Sequence, residues 1–474
     1  MAKQVQLRRG SASDHTTFTG AVGELTYVSD DKTLRIHDGS TASGITVGTG
    51  VINVKNYGAT GDGSTDDTAA IQAAATAATS GQALFFPANS SGTTNYKIST
   101  KITMVSGVSI KFESKKVTVL CVGCDGFDYP VGSIRTSIES GGISQSVRHT
   151  TTPNTYFAIR FQGDTGNRPY YNTIRNMFFD GFYEPINAQW SWDLVITGNQ
   201  AVFCGRFLNL SGICANSFIS ENNMGGNDTL LIIGDGTNTI QGITISRNFL
   251  DSMSLGVPIL ATGASFCRFT ENICDFVGAG TAVLLQSSGS VVSGSWIVSN
   301  NYIAFGANGD EGIRILNSTS WGSTLNTGNV IDSNAIFAYT SYTLTRGILI
   351  DGTVEDLNQV TNNSVKADTY DCDLDNSTNT TVMGNRWLGT GFYSTTDLAI
   401  YVNNIGTIIS SEALHKNITG GSTHYYGTAA PASGTYVVGD IVWDLTPTAS
   451  GYIGWVCTTA GTPGTWKTFG SISS

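Results

Sequence analysis

The sequence predicts an all-β protein whose central part folds as a parallel β-helix, and two observations carry this prediction. The first is composition: only 13% of the 474 residues are charged, whereas the chain contains 56 glycines. Such a sequence, rich in serine, threonine, asparagine and β-branched residues, is typical of turn-rich β proteins. The second is an internal repeat in which a bulky apolar residue is followed three positions later by asparagine. The eight asparagines are Asn199, Asn222, Asn248, Asn272, Asn301, Asn334, Asn363 and Asn385.

The spacing of these asparagines matches single coils of a β-helix. Successive asparagines are 22 to 33 residues apart, the extremes being Asn363 to Asn385 and Asn301 to Asn334. One coil cannot bury its inner face alone, so we expect coils to stack. We expect each asparagine to take the left-handed conformation at a tight corner and to bond to its equivalents along the stack. The residue two positions after each asparagine is apolar, as expected for a strand with one buried face. These residues are Ala201, Met224, Leu250, Cys274, Ile303, Ile336, Val365 and Trp387.

The charge balance and the apolar pattern exclude several classes of function. The formal net charge is −11, whereas a nucleic-acid-binding protein would carry basic clusters. No apolar run is long enough to span a bilayer, and Met1 opens a polar segment without the apolar stretch of a secretory signal. We therefore expect no nucleic-acid partner, no membrane insertion and synthesis in a cytoplasm. The eight cysteines are scattered and are interpreted as core residues, so neither a metal nor a cofactor is predicted.

Residues 1–50 are expected to form a small N-terminal β module. Two alternating segments, Leu25–Val28 and Thr33–Ile36, flank a polar turn and predict a hairpin. The motifs Gln6–Gly10, Gly23–Thr26 and His37–Thr41 resemble an N-terminal module of phage tail fibres and tailspikes. This resemblance implies that the module attaches the chain to a phage tail or baseplate protein.

Residues 51–410 are expected to form the β-helix body. It opens with a strand at Val51–Val54, a glycine-rich turn at Tyr57–Gly63 and a short capping helix near 66–78. Asp66 and Asp67 are expected to cap that helix, because aspartate side chains accept hydrogen bonds from free N–H groups. This order of elements resembles the entry segment of pectate-lyase-like proteins. The resemblance implies a right-handed β-helix whose first coil is covered by the helix.

Residues 411–474 are expected to form a C-terminal β module of short strands. The segments Gly439–Trp443 and Trp455–Trp466 are similar to a module recurrent in phage tail proteins. Their tryptophans are interpreted as the module core, with sugar platforms as the alternative. The whole layout resembles phage tailspikes and capsule depolymerases of the pectate-lyase-like superfamily. The resemblance implies a homotrimer on the virion tail that degrades a bacterial surface polysaccharide, either capsule or lipopolysaccharide O-antigen.

Columns of the repeat predict which side chains meet, because stacked coils place equivalent residues about 4.8 Å apart. The column three positions after the asparagines brings together Asp251 and Asp275. The column one position before them places Arg247 between Glu221 and Glu271, with the two glutamates roughly 10 Å apart. Two close carboxylates repel, which raises one pKa and provides an acid beside an ionised base or nucleophile.

Glycoside hydrolysis uses such a pair of carboxylates, at roughly 5 Å for retention and roughly 6.5–9.5 Å for inversion. We therefore predict catalysis by these four carboxylates. Substrate binding is predicted for Arg247, Tyr183, Trp190, Trp192 and Tyr302. The alternative is that the glutamates and Arg247 form a surface ion-pair ladder of little energetic value, and that both aspartates are solvated turn residues.

Two other functions stay open at this point. A polysaccharide lyase would use Arg247 or Tyr302 as its base, and a receptor-binding fibre would need no catalytic group. Lys366 is the single lysine of the coils from 172 to 400, which counts against the lyase. None of the five histidines is expected within the stacked coils, which would exclude a Ser-His-Asp arrangement there.

Overall fold

The protein is described here by a computed structural model that divides into two compact units, residues 1–231 and 232–474. The structure describes residues 6–30, 32–47, 50–90, 93–149, 154–226, 228–252, 258–288, 291, 293–316, 328–351, 358–375, 380–394, 400–402, 404–405, 415–416 and 423–474. Among these residues, no helix combines the length and the apolar character needed to cross a membrane.

The first unit begins with a four-stranded sheet. Its strands are Arg8–Gly10, Leu25–Val28, Thr33–Ile36 and Ile45–Val47, and a short helix, Ala12–His15, follows the first of them. Leu25–Val28 and Thr33–Ile36 pair antiparallel, so the predicted hairpin is confirmed.

The rest of the first unit is a parallel β-helix with three sheets. Its first sheet contains Val51–Asn53, Ala83–Phe86, Ser109–Phe112, Ser137–Glu139, Thr173–Arg175, Val195–Thr197 and Phe218–Ser220. Its second sheet contains Asp62–Asp66, Thr94–Ile98, Val117–Cys121, Gly142–Gln145, Phe178–Asp180, Gln200–Cys204 and Asn223–Gly226. Its third sheet contains Ile102–Thr103, Phe127–Tyr129, Ile159–Phe161, Ile186–Gln189 and Leu208–Ser211. The two helices of this part are Val54–Tyr57, a 3₁₀ turn, and Thr68–Ala77.

The second unit repeats the three-sheet arrangement. Its first sheet contains Thr244–Ser246, Arg268–Thr270, Ile297–Ser299, Val330–Asp332, Gln359–Thr361, Thr381–Met383 and Ile400–Val402. Its second sheet contains Phe249–Ser252, Ile273–Val277, Tyr302–Phe305, Ala335–Ala338, Ser364–Lys366 and Arg386–Trp387. Its third sheet contains Ile259–Thr262, Val283–Gln286, Gly309–Leu316, Leu344–Asp351, Tyr370–Asp375 and Phe392–Ser394. Leu231–Ile233 is a further strand, and the boundary between the two units falls within it.

Two smaller sheets complete the second unit. Ile240–Gln241 pairs with Ala264–Ser265. The C-terminal sheet contains His415–Lys416, Thr423–Gly427, Ile441–Asp444, Tyr452–Thr459 and Thr465–Ser471. In it, the half-buried Trp443 packs edge-on against Phe469, with ring centroids 5.5 Å apart, which supports the interpretation of this tryptophan as a core residue.

Within each unit, neighbouring strands of the three sheets pair in parallel, one coil to the next. The predicted fold class, an all-β, right-handed parallel β-helix with small β modules at both ends, is therefore confirmed. The core also follows the predicted pattern, because all eight residues two positions after the asparagines are at most 3% exposed. All eight cysteines are buried and free, as expected of core residues.

Buried asparagines form a hydrogen-bonded ladder along the coils. In the second unit, the Oδ1 atom of Asn301 accepts from both the backbone N–H and the side-chain amide of Asn272, at 2.9 and 3.1 Å. The amide of Asn301 in turn bonds to Asn334 at 2.9 Å and to the carbonyl of Phe269 at 2.8 Å. The predicted stacking is thus confirmed for the described ladders of each unit.

The predicted backbone conformation of the ladder asparagines is wrong by one position. The left-handed residue is the one before each ladder asparagine, with φ of 59° at Glu221, 53° at Arg247 and 58° at Glu271. The asparagine side chain itself turns inward. The amide of Asn272 donates to the carbonyl of Ile245 in the preceding coil and to Oδ1 of Asn301 in the next, and its own oxygen accepts from Asn248. The chain therefore turns from the first sheet to the second at the residue that precedes the asparagine.

The capping helix, Thr68–Ala77, is present, but its two aspartates have different roles. Asp66 accepts the N–H of Thr68 at 3.0 Å, as predicted. Asp67 makes no side-chain bond to the helix. Its buried carboxylate accepts the N–H groups of Thr60 and Gly61, at 2.7 and 3.0 Å. Asp67 therefore holds the glycine-rich turn in its conformation, because its carboxylate accepts hydrogen bonds from two backbone N–H groups of that turn.

Candidate functional site

The structure places Asp251 and Asp275 side by side. Asp251 lies on the strand Phe249–Ser252 and Asp275 on Ile273–Val277, and the two residues are direct partners in the parallel register. Opposite residues on neighbouring strands are about 4.8 Å apart. Leu250 and Cys274, the preceding residues, are fully buried, so alternation turns both carboxylates to the outer face.

The two carboxylates have unequal surroundings. Burial, and then the charge of Asp275, raise the pKa of Asp251. The buried Oδ1 atom of Asp251 has no hydrogen-bond partner among the described residues. By contrast, Oδ1 of Asp275 accepts the hydroxyl of Tyr339 at 2.7 Å and the N–H of Phe276 at 2.9 Å. Asp251 is thus suited to hold a proton, whereas the carboxylate of Asp275 is fixed in place by two hydrogen-bond donors.

Aromatic side chains adjoin the acid pair. Tyr339, which binds Asp275, lies 5.3 Å from the ring of Phe276 and 5.9 Å from that of Phe337. Phe337 in turn meets the predicted binding residue Tyr302 edge-on at 5.2 Å. Phe276 is 53% exposed and Tyr302 is 37% exposed, so solvent reaches this patch. Exposed aromatic rings of this kind can stack on the apolar faces of sugars.

The sequence pattern missed Phe276 because of a β-bulge. Strict alternation would turn this residue inward after Asp275, but the register shifts between Cys274 and Val277. Phe276 takes the left-handed conformation, with φ of 47°, and its ring projects outward. Tyr339 was missed because it reaches Asp275 from 64 residues away, beyond the span of any local pattern.

Arg247 and Glu271 form a surface ion pair at a corner of the second unit. The distance between Arg247 Nη1 and Glu271 Oε2 is 3.7 Å, and both side chains are more than half exposed. Such a pair is worth little energetically, so the geometry favours the ion-pair alternative for these two residues. Glu221 occupies the equivalent left-handed corner in the first unit and is exposed.

The other predicted binding residues lie in the first unit. Trp192 donates its indole N–H to the carbonyl of Ile213 at 3.1 Å, and the guanidinium of Arg168 lies 4.5 Å above its ring. Trp190 takes the left-handed conformation, with φ of 56°. Tyr183 lies near the guanidinium of Arg206, 4.8 Å from the ring centroid.

One expectation about histidine is wrong. His149 lies between the strands Gly142–Gln145 and Ile159–Phe161, within a coil of the first unit, and it is buried. Its ring is 5.3 Å from that of Tyr183. The asparagine repeat begins later in the chain, so the sequence pattern did not reveal this coil.

A polar cavity of about 510 Å³ lies elsewhere in the first unit. It is lined by residues of the N-terminal sheet and of the first coil, among them Arg35, Thr46, Tyr57 and Gln82. None of the predicted site residues lines it.

Comparisons with known proteins agree with the β-helix architecture and match two segments near the N-terminus. Residues 5–41 match the family model of the major tropism determinant N-terminal domain. Residues 51–123 match that of rhamnogalacturonase A/epimerase, pectate lyase-like. A curated relative is the tail fiber receptor-binding protein of Bordetella phage BPP-1, which is 48% identical over 44 residues, or 9% of this chain. The chain covers about 12% of the length of that relative.

Solved structures with similar folds include an adhesin and an enzyme. The surface protein and adhesin PfbA of Streptococcus pneumoniae has a TM-score of 0.52 at 16% identity, with 73% of this chain and 99% of that chain covered. DFA-IIIase from Arthrobacter chlorophenolicus has a TM-score of 0.51 at 13% identity, with 71% and 94% covered. At this level of identity the likeness shows the fold alone.

Proposed function

We propose that this chain is a phage tailspike that binds a bacterial surface polysaccharide and hydrolyses its glycosidic bonds. The polymer would be a capsule or the O-antigen of lipopolysaccharide. The N-terminal similarity to a tail fiber receptor-binding protein supports a place on the virion tail and a role at the bacterial surface. In this proposal residues 1–50 attach a homotrimer to the tail or baseplate, 51–410 act on the polymer, and 411–474 close the C-terminal end.

The in-register pair of Asp251 and Asp275, with its unequal surroundings, carries the proposal of hydrolysis. Asp251, whose pKa is raised, donates its proton to the glycosidic oxygen as that bond breaks. Asp275, held by Tyr339, attacks the anomeric carbon and forms a glycosyl–enzyme intermediate. Asp251 then takes a proton from water, which displaces Asp275 and releases the sugar. The short separation of neighbouring strands suits this retaining course, which needs roughly 5 Å.

The aromatic patch supports the same assignment. Tyr302 and Phe276 lie on the outer face next to the acid pair and can hold sugar rings against it. The net charge of −11 gives no long-range attraction for an anionic polymer. Local contacts with sugar rings must therefore supply the binding free energy.

A non-catalytic receptor-binding fibre is the second candidate. The 48% identity over 44 residues is to a tail fiber receptor-binding protein, which supports a binding role. A fibre of this kind would bind the polymer through the aromatic patch and leave it intact.

Incubation of the protein with capsule or O-antigen of a susceptible host separates these functions. We expect new reducing ends without formation of unsaturated sugars, which indicates hydrolysis. Unsaturated products would show a lyase, and bound but intact polymer would show a non-catalytic fibre.

Variants of the acid pair test the proposed site. Asp251→Asn and Asp275→Asn should each abolish cleavage and keep polymer binding. The control is Asp235→Asn, which alters an exposed turn carboxylate of the same unit and should leave both cleavage and binding unchanged. Full turnover in both of the first two variants would show that this pair is not the catalytic site.

A further inference from the structure

A mixed polar cluster lies at the turns between the second and third sheets of the first unit. Tyr183 and Glu184 follow the strand Phe178–Asp180, and Arg206 follows Gln200–Cys204. Asp228 follows the next strand of the second sheet, Asn223–Gly226. Because these strands belong to successive coils, the four side chains are stacked at one corner.

Arg206 is held loosely in this cluster. Its Nη1 atom is 3.4 Å from Glu184 Oε2, and its Nε atom is 3.8 Å from Asp228 Oδ2. The other arginine–carboxylate pair at this corner, Arg148 with Asp180, is closer, at 2.8 Å. Charge-assisted bonds usually measure about 2.7–2.9 Å. The Nε atom of Arg206 has no hydrogen-bond partner among the described residues, so this guanidinium has unused donor capacity.

His149 gives an independent sign of an incomplete site. It is 5% exposed, and its Nδ1 atom has no hydrogen-bond partner in the described part of the chain. Buried polar atoms are nearly always bonded, so an exception needs an explanation such as a ligand or an ordered water. A Cβ atom at Gly205 would lie 2.5 Å from the ring of Tyr183 and 3.0 Å from Nε2 of His149. Only glycine therefore lets both rings approach Gly205 this closely.

Acceptor groups surround the loosely held arginine. Glu184 is nearly buried and accepts from the amides of Asn187 and Asn209, the latter at 3.0 Å. Asp228 is the accessible acceptor, because its side chain is 42% exposed. Among the described residues, its Oδ2 atom accepts one long hydrogen bond, from the hydroxyl of Tyr183 at 3.4 Å, and its Oδ1 atom accepts the N–H of Thr229 at 2.8 Å. A donor and an acceptor with spare capacity thus stand side by side above an aromatic ring.

We propose that this cluster is a second saccharide-binding site, separate from the acid pair, that holds a neutral hexose through two adjacent hydroxyls. Each sugar hydroxyl both donates and accepts, so adjacent hydroxyls bond at once to the guanidinium of Arg206 and the carboxylate of Asp228. One arginine faces two carboxylates, and burial lowers the pKa of His149, which keeps that ring neutral near pH 7. The net negative charge disfavours a uronate or a phosphate.

Saturation-transfer NMR tests this site with named probes. The full chain is mixed with the methyl α-glycosides of glucose, galactose and mannose, and separately with sodium glucuronate. We expect transfer from at least one methyl glycoside and none from glucuronate. Arg206→Gln and Asp228→Ala should each weaken the bound glycoside by about tenfold, the usual loss for a hydrogen bond to a charged group. Thermal unfolding of both variants shows whether the fold is kept, and Asp228→Ala alters only a partly exposed side chain.

Two controls separate this site from the proposed catalytic pair. Arg175→Gln removes an exposed arginine of the same unit, paired with Glu139, and should leave binding unchanged. Asp275→Asn should also leave this signal unchanged, because it alters only the acid pair. Absence of transfer from all three glycosides, unaltered binding in folded Arg206→Gln and Asp228→Ala, or stronger transfer from glucuronate would overturn the second site. A signal lost in Asp275→Asn alone would assign the binding to the acid pair and leave the proposed hydrolysis intact.

Discussion

A β-bulge in each unit turns a phenylalanine ring outward in the same way, but the carboxylates beside the two rings have different charged neighbours. Phe203 and Phe276 both sit at a register shift, both have a left-handed backbone, and their rings are 49% and 53% exposed. Arg148 lies 4.3 Å above the ring of Phe203 and pairs with Asp180. No described cation pairs with the aspartates beside Phe276, where Tyr339 instead binds Asp275.

This difference shows that the bulge alone does not define a reactive site. Each of these two bulges turns an aromatic ring outward, but only the first has a cation beside its carboxylate among the described residues. There Asp180 forms an ion pair with Arg148, which gives it a structural role. Asp251 and Asp275 repel each other without such a partner, and the pKa of Asp251 rises. The comparison therefore supports the proposed catalysis at the second bulge and a structural role for the first.

Asp275→Asn should give the largest effect. It removes the proposed nucleophile, so we expect the rate of polymer cleavage to fall by about 10³-fold or more, since single catalytic groups contribute roughly 10²–10⁴-fold. Reducing-end release at saturating polymer measures this rate, and Asp180→Asn at the first bulge is the matched comparison. Equal losses in the two variants would abolish the distinction between the bulges.

Tyr339→Phe should lower the turnover number by about tenfold, because a hydrogen bond to a charged group contributes roughly 1.5–3 kcal/mol. The Michaelis constant should change little, since the ring that adjoins Phe276 remains. Tyr342→Phe, an exposed tyrosine nearby in the chain, is the control and should behave as wild type. A rise in the Michaelis constant with unchanged turnover would make Tyr339 a binding residue rather than a positioning residue.

Arg148→Gln should affect stability rather than chemistry. It leaves Asp180, whose side chain is 13% exposed, without its cation. We expect only a small loss in the free energy of unfolding, because Arg148 is half exposed and solvent screens part of the pair. Denaturant titration measures the loss, and polymer cleavage should stay at the wild-type rate. A large loss of cleavage in a folded protein would move the reactive site to the first bulge.

The smallest expected effect is a dependence of stability on pH at Asp251. Its pKa is raised in the folded protein, so the folded state binds this proton more tightly than the unfolded state, and stability is lost as the pH rises through that pKa. Asp251→Asn mimics the protonated form. Its melting temperature should exceed that of wild type at pH 7, and the gain should vanish as the pH falls towards 4. A difference in melting temperature that stays constant across this range would show that the folded protein does not disfavour the charged form of Asp251.

The asparagine spacing was sufficient to predict much of the fold and one feature of the site. It placed Asn272, Asn301 and Asn334 on one ladder, and it set Asp251 opposite Asp275. Both outcomes follow from a strand period of two and a repeated coil, which are local properties of the chain. The same spacing did not reveal the coil of His149, which precedes the repeat.

The sequence by itself determined the stacked coils, the inward residues and the column that holds the acid pair. It could do so because the alternation of apolar residues along a strand and the spacing of the asparagines are both local features of the chain. Only the tertiary structure decided which carboxylates are neutralised, which ring a bulge turns outward, and that Tyr339 reaches Asp275 across 64 positions. These outcomes depend on packing and charge between coils. A local pattern carries no information about them, since each depends on side chains that meet only after the coils have stacked.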